Sequence, residues 1–174
     1  MRKYISLLFF SLFVFFQTFP AIAESPLDYT KQGLEFYEQG KMEDALNSFT
    51  KAIELKQHLA SSYYNRGRTL SNMKQFVRAL EDFNRAIEIN PKVATYYNSR
   101  GIASLLSGKG QKIAQDDFNR AIELDPKYGA AIFNRAFTYP DELIEKQIDD
   151  LNTACKMKEE GACEALSEVL REKR

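Results

Sequence analysis

The 174-residue chain contains no tryptophan, one histidine, two cysteines and five prolines, and its 24 basic residues balance its 24 acidic residues. A single histidine, His58, leaves Ser–His and Cys–His catalysis with one candidate base, and it lies far in sequence from the cysteines that would be needed for a metal site. The lack of a basic excess argues against a nucleic acid or an anionic membrane as partner. We therefore predict no catalytic residue, no metal and no cofactor, and we expect His58 to be a solvated turn residue.

One long hydrophobic run is present, at the start of the chain. Arg2 and Lys3 precede a nearly unbroken apolar run over residues 5–16, Pro20 interrupts it, and small residues follow up to Ala23. This order predicts a secretory signal peptide over residues 1–23. The alternative is an uncleaved membrane anchor, although a span needs about 20 apolar residues. The mature chain would then contain no span, and in a bacterium it would be periplasmic.

The strongest pattern is self-similarity along the chain. The letters YYNRG and EDFNRAIEINP in residues 60–91 return as YYNSRG and DDFNRAIELDP in the next copy. A period of about 34 residues indicates a solenoid of helix pairs. In the earlier copy, Gly67 lets a neighbouring helix pack closely, while Ala79 and Ala86 lie two turns apart on one helix face. Phe83 fills the space between these alanines, and Pro91 ends the helix.

These residues resemble the tetratricopeptide repeat family. The resemblance implies an all-α fold, an α-α solenoid that winds as a right-handed superhelix of about three and a half to four helix pairs plus a C-terminal capping helix. The domain would cover residues 24–174, with repeats at 26–59, 60–93, 94–128 and a degenerate 129–160, and the capping helix at 161–172. The pattern predicts helices at 27–39, 42–55, 60–73, 76–89, 94–107, 111–124 and 141–157. It also predicts a short helix that begins at Gly129 and ends before Pro140. The turn at Gln57 is expected to be less firmly set, because proline is expected at that position.

The resemblance also implies a binding surface. In this family the first helices of the repeats line a concave groove that takes a peptide or a helix from a partner. Groove-facing positions here combine aromatic side chains, amides and a few charges, which suits a peptide backbone with an apolar side chain. They are Thr30, Lys31, Leu34, Tyr64, Asn65, Arg68, Asn98, Ser99, Ile102, Phe133, Asn134 and Phe137. Core packing between repeats is the alternative role for Tyr64 and Phe133. The carboxylate clamp of chaperone-binding members is largely missing, because Leu34, Thr95 and Ser99 replace its amide and basic residues.

The two cysteines, Cys155 and Cys163, resemble the cysteine pairs of Sel1-like helical repeat proteins. That resemblance implies a disulfide between two antiparallel helices, and an oxidising compartment would favour it. In one continuous helix the two residues would be about 12 Å apart, whereas a disulfide needs Cα atoms within about 7 Å. The bond therefore requires a turn near residues 159–161. Two small buried thiols are the alternative.

Pairs of acidic residues recur at equivalent repeat positions, which indicates a role in the scaffold rather than in an active site. We interpret Glu81-Asp82, Asp116-Asp117 and Asp149-Asp150 as a solvated face with nearby Arg85 and Arg120. The whole sequence predicts an exported, non-enzymatic protein that binds another protein or a peptide, as an adaptor or assembly scaffold. The alternative is a structural, self-associating subunit of an envelope complex, which would be a homo-oligomer. An enzymatic role ranks third.

Overall fold

A computed structural model describes residues 28–108 and 110–173; the predicted signal peptide lies outside this range. The described residues form helices whose ends agree with the predicted ones within one turn, and a single 3-10 turn, Asp141–Leu143, precedes α8. The helices are α1 (Tyr29–Glu38), α2 (Met42–Glu54), α3 (Leu59–Asn72), α4 (Phe76–Ile89), α5 (Ala94–Leu106), α6 (Gln111–Leu124), α7 (Gly129–Ala136), α8 (Ile144–Lys156) and α9 (Ala162–Glu172).

Consecutive helices pair and stack along one direction. Each odd-numbered helix from α1 to α7 packs against the helix that follows it, and α9 packs against α8. The first helices also contact one another from repeat to repeat, α1 with α3, α3 with α5 and α5 with α7. Within the described residues, α2, α4 and α6 make no comparable contact among themselves. The first helices therefore form the inner surface and the second helices the outer surface of the predicted all-α solenoid.

A glycine against a phenylalanine forms the centre of each of the first three repeats. Phe83 is 1% exposed, and a Cβ added to Gly67 would lie 2.8 Å from its Cε1 atom. The same contact joins Gly33 to Phe49 and Gly101 to Phe118. In the fourth repeat the equivalent positions are Ala136 and Leu151, both 0% exposed. In the fourth repeat, a residue larger than glycine on the first helix thus accompanies a residue smaller than phenylalanine on the second helix.

In repeats two, three and four, an arginine on the first helix forms hydrogen bonds with residues on two neighbouring helices. The guanidinium of Arg100 donates to both carboxylate oxygens of Asp117, at 2.9 and 2.5 Å, and to Asn84 Oδ1 of the preceding repeat at 2.8 Å. These bonds raise the pKa of Arg100, against the opposing effect of its burial. Equivalent bidentate pairs are Arg66–Asp82 and Arg135–Asp150.

This arginine ladder corrects the interpretation of the acidic pairs. The second acid of each pair is buried, with Asp82 and Asp117 each 4% exposed and Asp150 7% exposed. Only the first acid of each pair faces solvent. Arg85 and Arg120 instead form short-range ion pairs with Glu88 and Glu123, one turn further along their own helices. The solvated-face interpretation was therefore wrong for one carboxylate of each pair.

Cys155 and Cys163 are joined by a disulfide with Cα atoms 4.7 Å apart. The chain reverses between α8 and α9 through Lys158 and Gly161, which both adopt positive φ angles. Ala162 is the one residue of α9 that is fully buried, and it packs with Ile132 and Ala154. The capping helix therefore has a thin hydrophobic contact, and the disulfide holds it against α8.

The turns between helices are set by local hydrogen bonds. Gln57, at the position where proline was expected, accepts the Tyr29 N–H through its side chain at 3.0 Å. Its carbonyl accepts the Ser62 hydroxyl at 2.8 Å. This turn is therefore held by Gln57, contrary to the sequence-based expectation. The adjacent His58 is exposed, as predicted. Among the described residues there is no helix with the length and hydrophobicity needed to cross a membrane.

Candidate functional site

The inner surface, defined as the solvent-facing side of α1, α3, α5 and α7, carries the predicted groove residues at very different depths. Lys31 and Phe137 are exposed, the latter to 48%. Asn65 and Asn98 are only 8% and 6% exposed. Half-buried positions are Leu34, Tyr64, Arg68, Ser99, Ile102, Phe133 and Asn134, whereas Thr30 is buried. The role of these residues in binding stays a prediction, but the two most buried amides offer few free atoms to a ligand.

An amide network connects α5 to α7. Asn134 donates through Nδ2 to Asn98 Oδ1 at 3.0 Å, and Asn98 Nδ2 donates to the Tyr128 hydroxyl at 3.3 Å. Burial is the main cause of the raised pKa of Tyr128. These bonds already use the groups that were predicted to grip a peptide backbone. The network therefore fixes the relative position of two repeats.

The two aromatic residues with alternative roles both contact the core. Tyr64 packs against Phe83 and Tyr96, with ring centroids 6.0 and 4.7 Å away. Phe133 packs against the cluster that includes Ala162 of the capping helix, and its ring meets that of Phe137 edge-on at 5.1 Å. Tyr64 and Phe133 thus pack between repeats, while Phe137 presents an exposed aromatic face to the inner surface.

A small pocket lies on the inner surface between α1, α3 and α5, and we call it the Arg68 pocket. Its volume is about 150 Å³, and it is lined by Tyr37, Arg68, Ser71, Asn72, Phe83, Ser99 and Ile102. The sequence predicted Arg68, Ser99 and Ile102 in this region but missed Tyr37, Ser71 and Asn72. No signal within one repeat marks those three, because the pocket forms only where neighbouring repeats meet.

The polar atoms of the Arg68 pocket are oriented by one tyrosine. The guanidinium carbon of Arg68 lies 4.7 Å from the centre of the Tyr37 ring. Arg68 Nη2 donates to the Tyr37 hydroxyl at 3.3 Å, and Asn72 Nδ2 donates to the same oxygen at 2.8 Å. Arg68 Nη1 donates to Asn65 Oδ1 at 3.3 Å. Since the Tyr37 oxygen already accepts two hydrogen bonds, its own O–H is left to donate.

A larger recess of about 450 Å³ opens on the outer surface, beside the arginine ladder, and it is mainly polar. Its lining includes Arg66 with Asp82 and Arg85 with Glu88, whose charges already pair with each other. Within residues 28–108 and 110–173, no group of His, Cys, Asp and Glu side chains is arranged to hold a metal ion. In the described residues, the buried side-chain polar atom without a hydrogen-bond partner is Ser71 Oγ, and Ser71 belongs to the lining of the Arg68 pocket.

Comparison with known families and structures gives the same architecture. The family model described as "Tetratricopeptide repeat" matches residues 60–93, and the one described as "TPR repeat" matches residues 33–74. No curated protein matches the sequence. The matched residues do not reach the cysteine pair, so the Sel1-like resemblance stays a prediction.

Three solved structures illustrate the likeness. MamA is 22% identical with a TM-score of 0.69, and the alignment covers 77% of this chain and 78% of MamA. YrrB, described as "a TPR protein with an unusual peptide-binding site", is 24% identical with a TM-score of 0.68, over 79% of this chain and 72% of YrrB.

The third structure is the first TPR domain of Spaghetti (RPAP3) bound to an HSP90 peptide. It is 25% identical with a TM-score of 0.61, over 63% of this chain and 86% of that domain. Family matches and structural likeness agree. Residues 33–93 thus match the tetratricopeptide repeat family, and the described part of the chain has the solenoid fold of solved tetratricopeptide-repeat proteins.

Proposed function

We propose that this protein is an exported adaptor or assembly scaffold that binds a peptide segment of a partner protein along its inner surface. The observation that carries the proposal is the Arg68 pocket, where a half-buried guanidinium and several hydroxyl and amide groups face a cavity of about 150 Å³. An extended peptide bound there would meet these polar groups and the apolar side chain of Ile102. Recognition of this kind combines a few polar anchors with apolar contacts.

The apolar part of the surface lies beyond the pocket, toward α7. Phe137 is 48% exposed and is held edge-on against Phe133, so its ring is positioned without being covered. An exposed aromatic ring on a rigid helix pair is a favourable anchor for a partner side chain. Peptide binding by solved structures of the same fold supports the proposal, since the RPAP3 domain is bound to an HSP90 peptide and YrrB is described as having a peptide-binding site.

Export is the second part of the proposal. It rests on the leader predicted for residues 1–23, and the disulfide between Cys155 and Cys163 suits an oxidising compartment such as the bacterial periplasm. Cell fractionation of the full chain, with mass spectrometry of its N-terminus, tests it. A processed protein that begins near residue 24 in the periplasmic fraction is expected. A cytoplasmic chain that retains Met1 would contradict export.

The binding proposal is tested by affinity capture from an envelope fraction with three forms of the full chain. The groove variant is Ile102→Glu with Phe137→Ala, which changes the inner surface outside the core. The matched control is Ile113→Glu with Val77→Ala on the outer helices, where both side chains are more than half exposed. A partner retained by the parent and the control but lost by the groove variant is expected.

Equal capture by all three forms, or loss in the control alone, would contradict binding on the inner surface. The mass of each purified form is measured across a range of protein concentrations in the same experiment. A concentration-dependent mass that the groove variant abolishes would mean that a second copy fills the groove, and the self-associating role would replace the adaptor role.

A further inference from the structure

The lack of a carboxylate partner sets Arg68 apart from the other half-buried arginines of the described residues. Arg66, Arg100 and Arg135 are also half-buried, and each forms a bidentate pair with a buried aspartate. Arg68 has no carboxylate within ion-pair distance in the described part of the chain. Its two hydrogen-bond acceptors are a phenol and an amide, both at 3.3 Å. The same sequence therefore satisfies three half-buried guanidinium groups with carboxylates and leaves the fourth without one.

The neighbours of Arg68 in the pocket are donors. The Tyr37 hydroxyl keeps its proton free because its oxygen accepts from both Asn72 and Arg68. The Ser71 hydroxyl is buried and has no hydrogen-bond partner in the described structure. A buried hydroxyl without a partner is destabilising. Donors that converge on a cationic group select an anionic acceptor.

We propose that the Arg68 pocket binds the side-chain carboxylate of an aspartate or glutamate in the partner peptide. This inference rests on the proposed peptide-binding function and adds the chemistry of one residue of the peptide. A carboxylate accepts two parallel N–H bonds from a guanidinium, and its remaining lone pairs suit the Tyr37 hydroxyl. The Phe83 ring and the Ile102 side chain line the remaining wall of the pocket and accommodate the methylene carbons of the acidic side chain.

A side chain fits this site better than a chain terminus. The inner surface continues past the pocket in both directions, toward Lys31 and Leu34 on α1 and toward Phe133 on α7 and Phe137 at the end of α7. A bound peptide therefore passes across the pocket instead of ending in it. The residues also differ from the carboxylate clamp sought in the sequence, because Arg68, Ser71 and Asn72 lie in the second half of α3 and Tyr37 comes from α1.

The probe is a set of short synthetic peptides with the full chain, produced with its leader so that the cell processes it naturally. The first peptide has a central glutamate between leucine and phenylalanine, with acetyl and amide caps. The second has glutamine in place of glutamate. The third has no acidic side chain but a free C-terminal carboxylate. Binding is followed by the NMR signals of the Arg68 Nε–H and Asn72 side-chain amide groups and by the signals of Phe137.

We expect the glutamate peptide to shift the Arg68 and Asn72 signals and to bind about tenfold more tightly than the glutamine peptide, which is the effect of one charge-assisted hydrogen bond. Arg68→Gln should remove this preference, and Arg68→Lys should keep part of it because the charge remains without the planar fork. The matched control is Arg78→Gln, since Arg78 is exposed and is also without a carboxylate partner in the described residues. It should keep the full preference.

Three outcomes would overturn the inference. Equal affinity for the glutamate and glutamine peptides would show that the pocket does not distinguish a charged side chain from a neutral one. Tighter binding of the third peptide would assign the pocket to a chain terminus. An equal loss of the preference in Arg78→Gln would assign the effect to overall charge. Shifts of the Phe137 signals without any preference for glutamate would contradict this inference but not the proposed function. Peptides that shift no signal of the inner surface would contradict the proposed function itself.

Discussion

Replacement of Arg100 by glutamine tests the arginine ladder, because it removes one side of a buried pair. Asp117 would remain in a position where its side chain is 5% exposed, without its two guanidinium bonds. Removal of one partner of a buried ion pair costs about 3–5 kcal/mol. Because the Arg100 side chain is 25% exposed and water can reach the site, we expect about 2–3 kcal/mol. For a domain of this size that corresponds to a fall in the melting temperature of roughly 5–10 °C.

The first repeat supplies the matched control, because it replaces this ion pair by neutral residues. Gln32 stands at the position of Arg100, Ser48 stands at the position of Asp117, and Ser48 Oγ donates to Gln32 Oε1 at 3.3 Å. The double variant Arg100→Gln with Asp117→Ser copies that pair into the third repeat. Since it leaves no unpaired buried charge, we expect it to be more stable than Arg100→Gln alone.

The assay is urea unfolding followed by circular dichroism for the parent, both single variants and the double variant. The expected result is a coupling free energy of about 1–3 kcal/mol between the two positions. Strictly additive effects would contradict this prediction, because they would mean that Asp117 does not depend on Arg100 in the folded state. A double variant less stable than both single variants would refute it as well.

Three further predictions concern the packing and the cap. Gly67→Ala places a Cβ 2.8 Å from the Phe83 ring and should destabilise the fold by about 1–3 kcal/mol; addition of Phe83→Leu, which copies Ala136 and Leu151, should recover part of the loss in urea unfolding, and no recovery would contradict the contact. Lys74→Gly should raise the free energy of unfolding by about 0.5–1 kcal/mol, because Lys74 has a φ angle of 60° and only glycine adopts it without strain. Gly40→Ala, at a φ angle of 74°, should lower the free energy of unfolding. A fall for Lys74→Gly or a rise for Gly40→Ala would contradict this prediction. Cys155→Ser with Cys163→Ser should lower the stability by about 2–3 kcal/mol because a short loop is no longer closed, and amide exchange should then become faster in α9 first; unchanged exchange in α9 would show that the disulfide does not hold the cap.

The helices and the glycine–phenylalanine core were predictable because their signals lie within one repeat. Gly67, Ala79, Phe83 and Pro91 recur with their neighbours at fixed spacing, and each has a simple steric reason for its position. The short α7 was also predictable, since Tyr139-Pro140 interrupts the helical pattern. Local sequence therefore specified most of the backbone.

The arginine ladder was missed for a different reason. Arg100 and Asp117 lie on different helices, and the sequence suggested nearer partners for the acid on its own helix. A signal was present in the sequence. Arginine precedes Gly67, Gly101 and Ala136, whereas glutamine precedes Gly33 of the first repeat. In that same repeat, serine replaces the buried aspartate. The joint change of both positions in the first repeat agrees with their contact in the third.

The binding surface was predicted only in part, because its polar groups depend on contacts between repeats. The position of a residue on a helix face indicated that Asn98 and Asn134 lie toward the groove. It did not show that their amides bond to each other at 3.0 Å. It also did not show that Tyr37 of one repeat orients Arg68 of the next. Such pairings depend on side-chain directions across two elements, which sequence spacing alone does not determine.

The most direct test of a functional inner surface is site-specific photo-crosslinking in the producing cell. A photoreactive phenylalanine analogue is placed at Phe137 or at Leu34 on the inner surface, and at Arg85 or at Glu123 on the outer helices, where both residues are exposed. We expect the inner positions to capture the same partner protein and the outer positions not to capture it. Capture of that partner only from Arg85 and Glu123 would contradict the claim that the inner surface binds it.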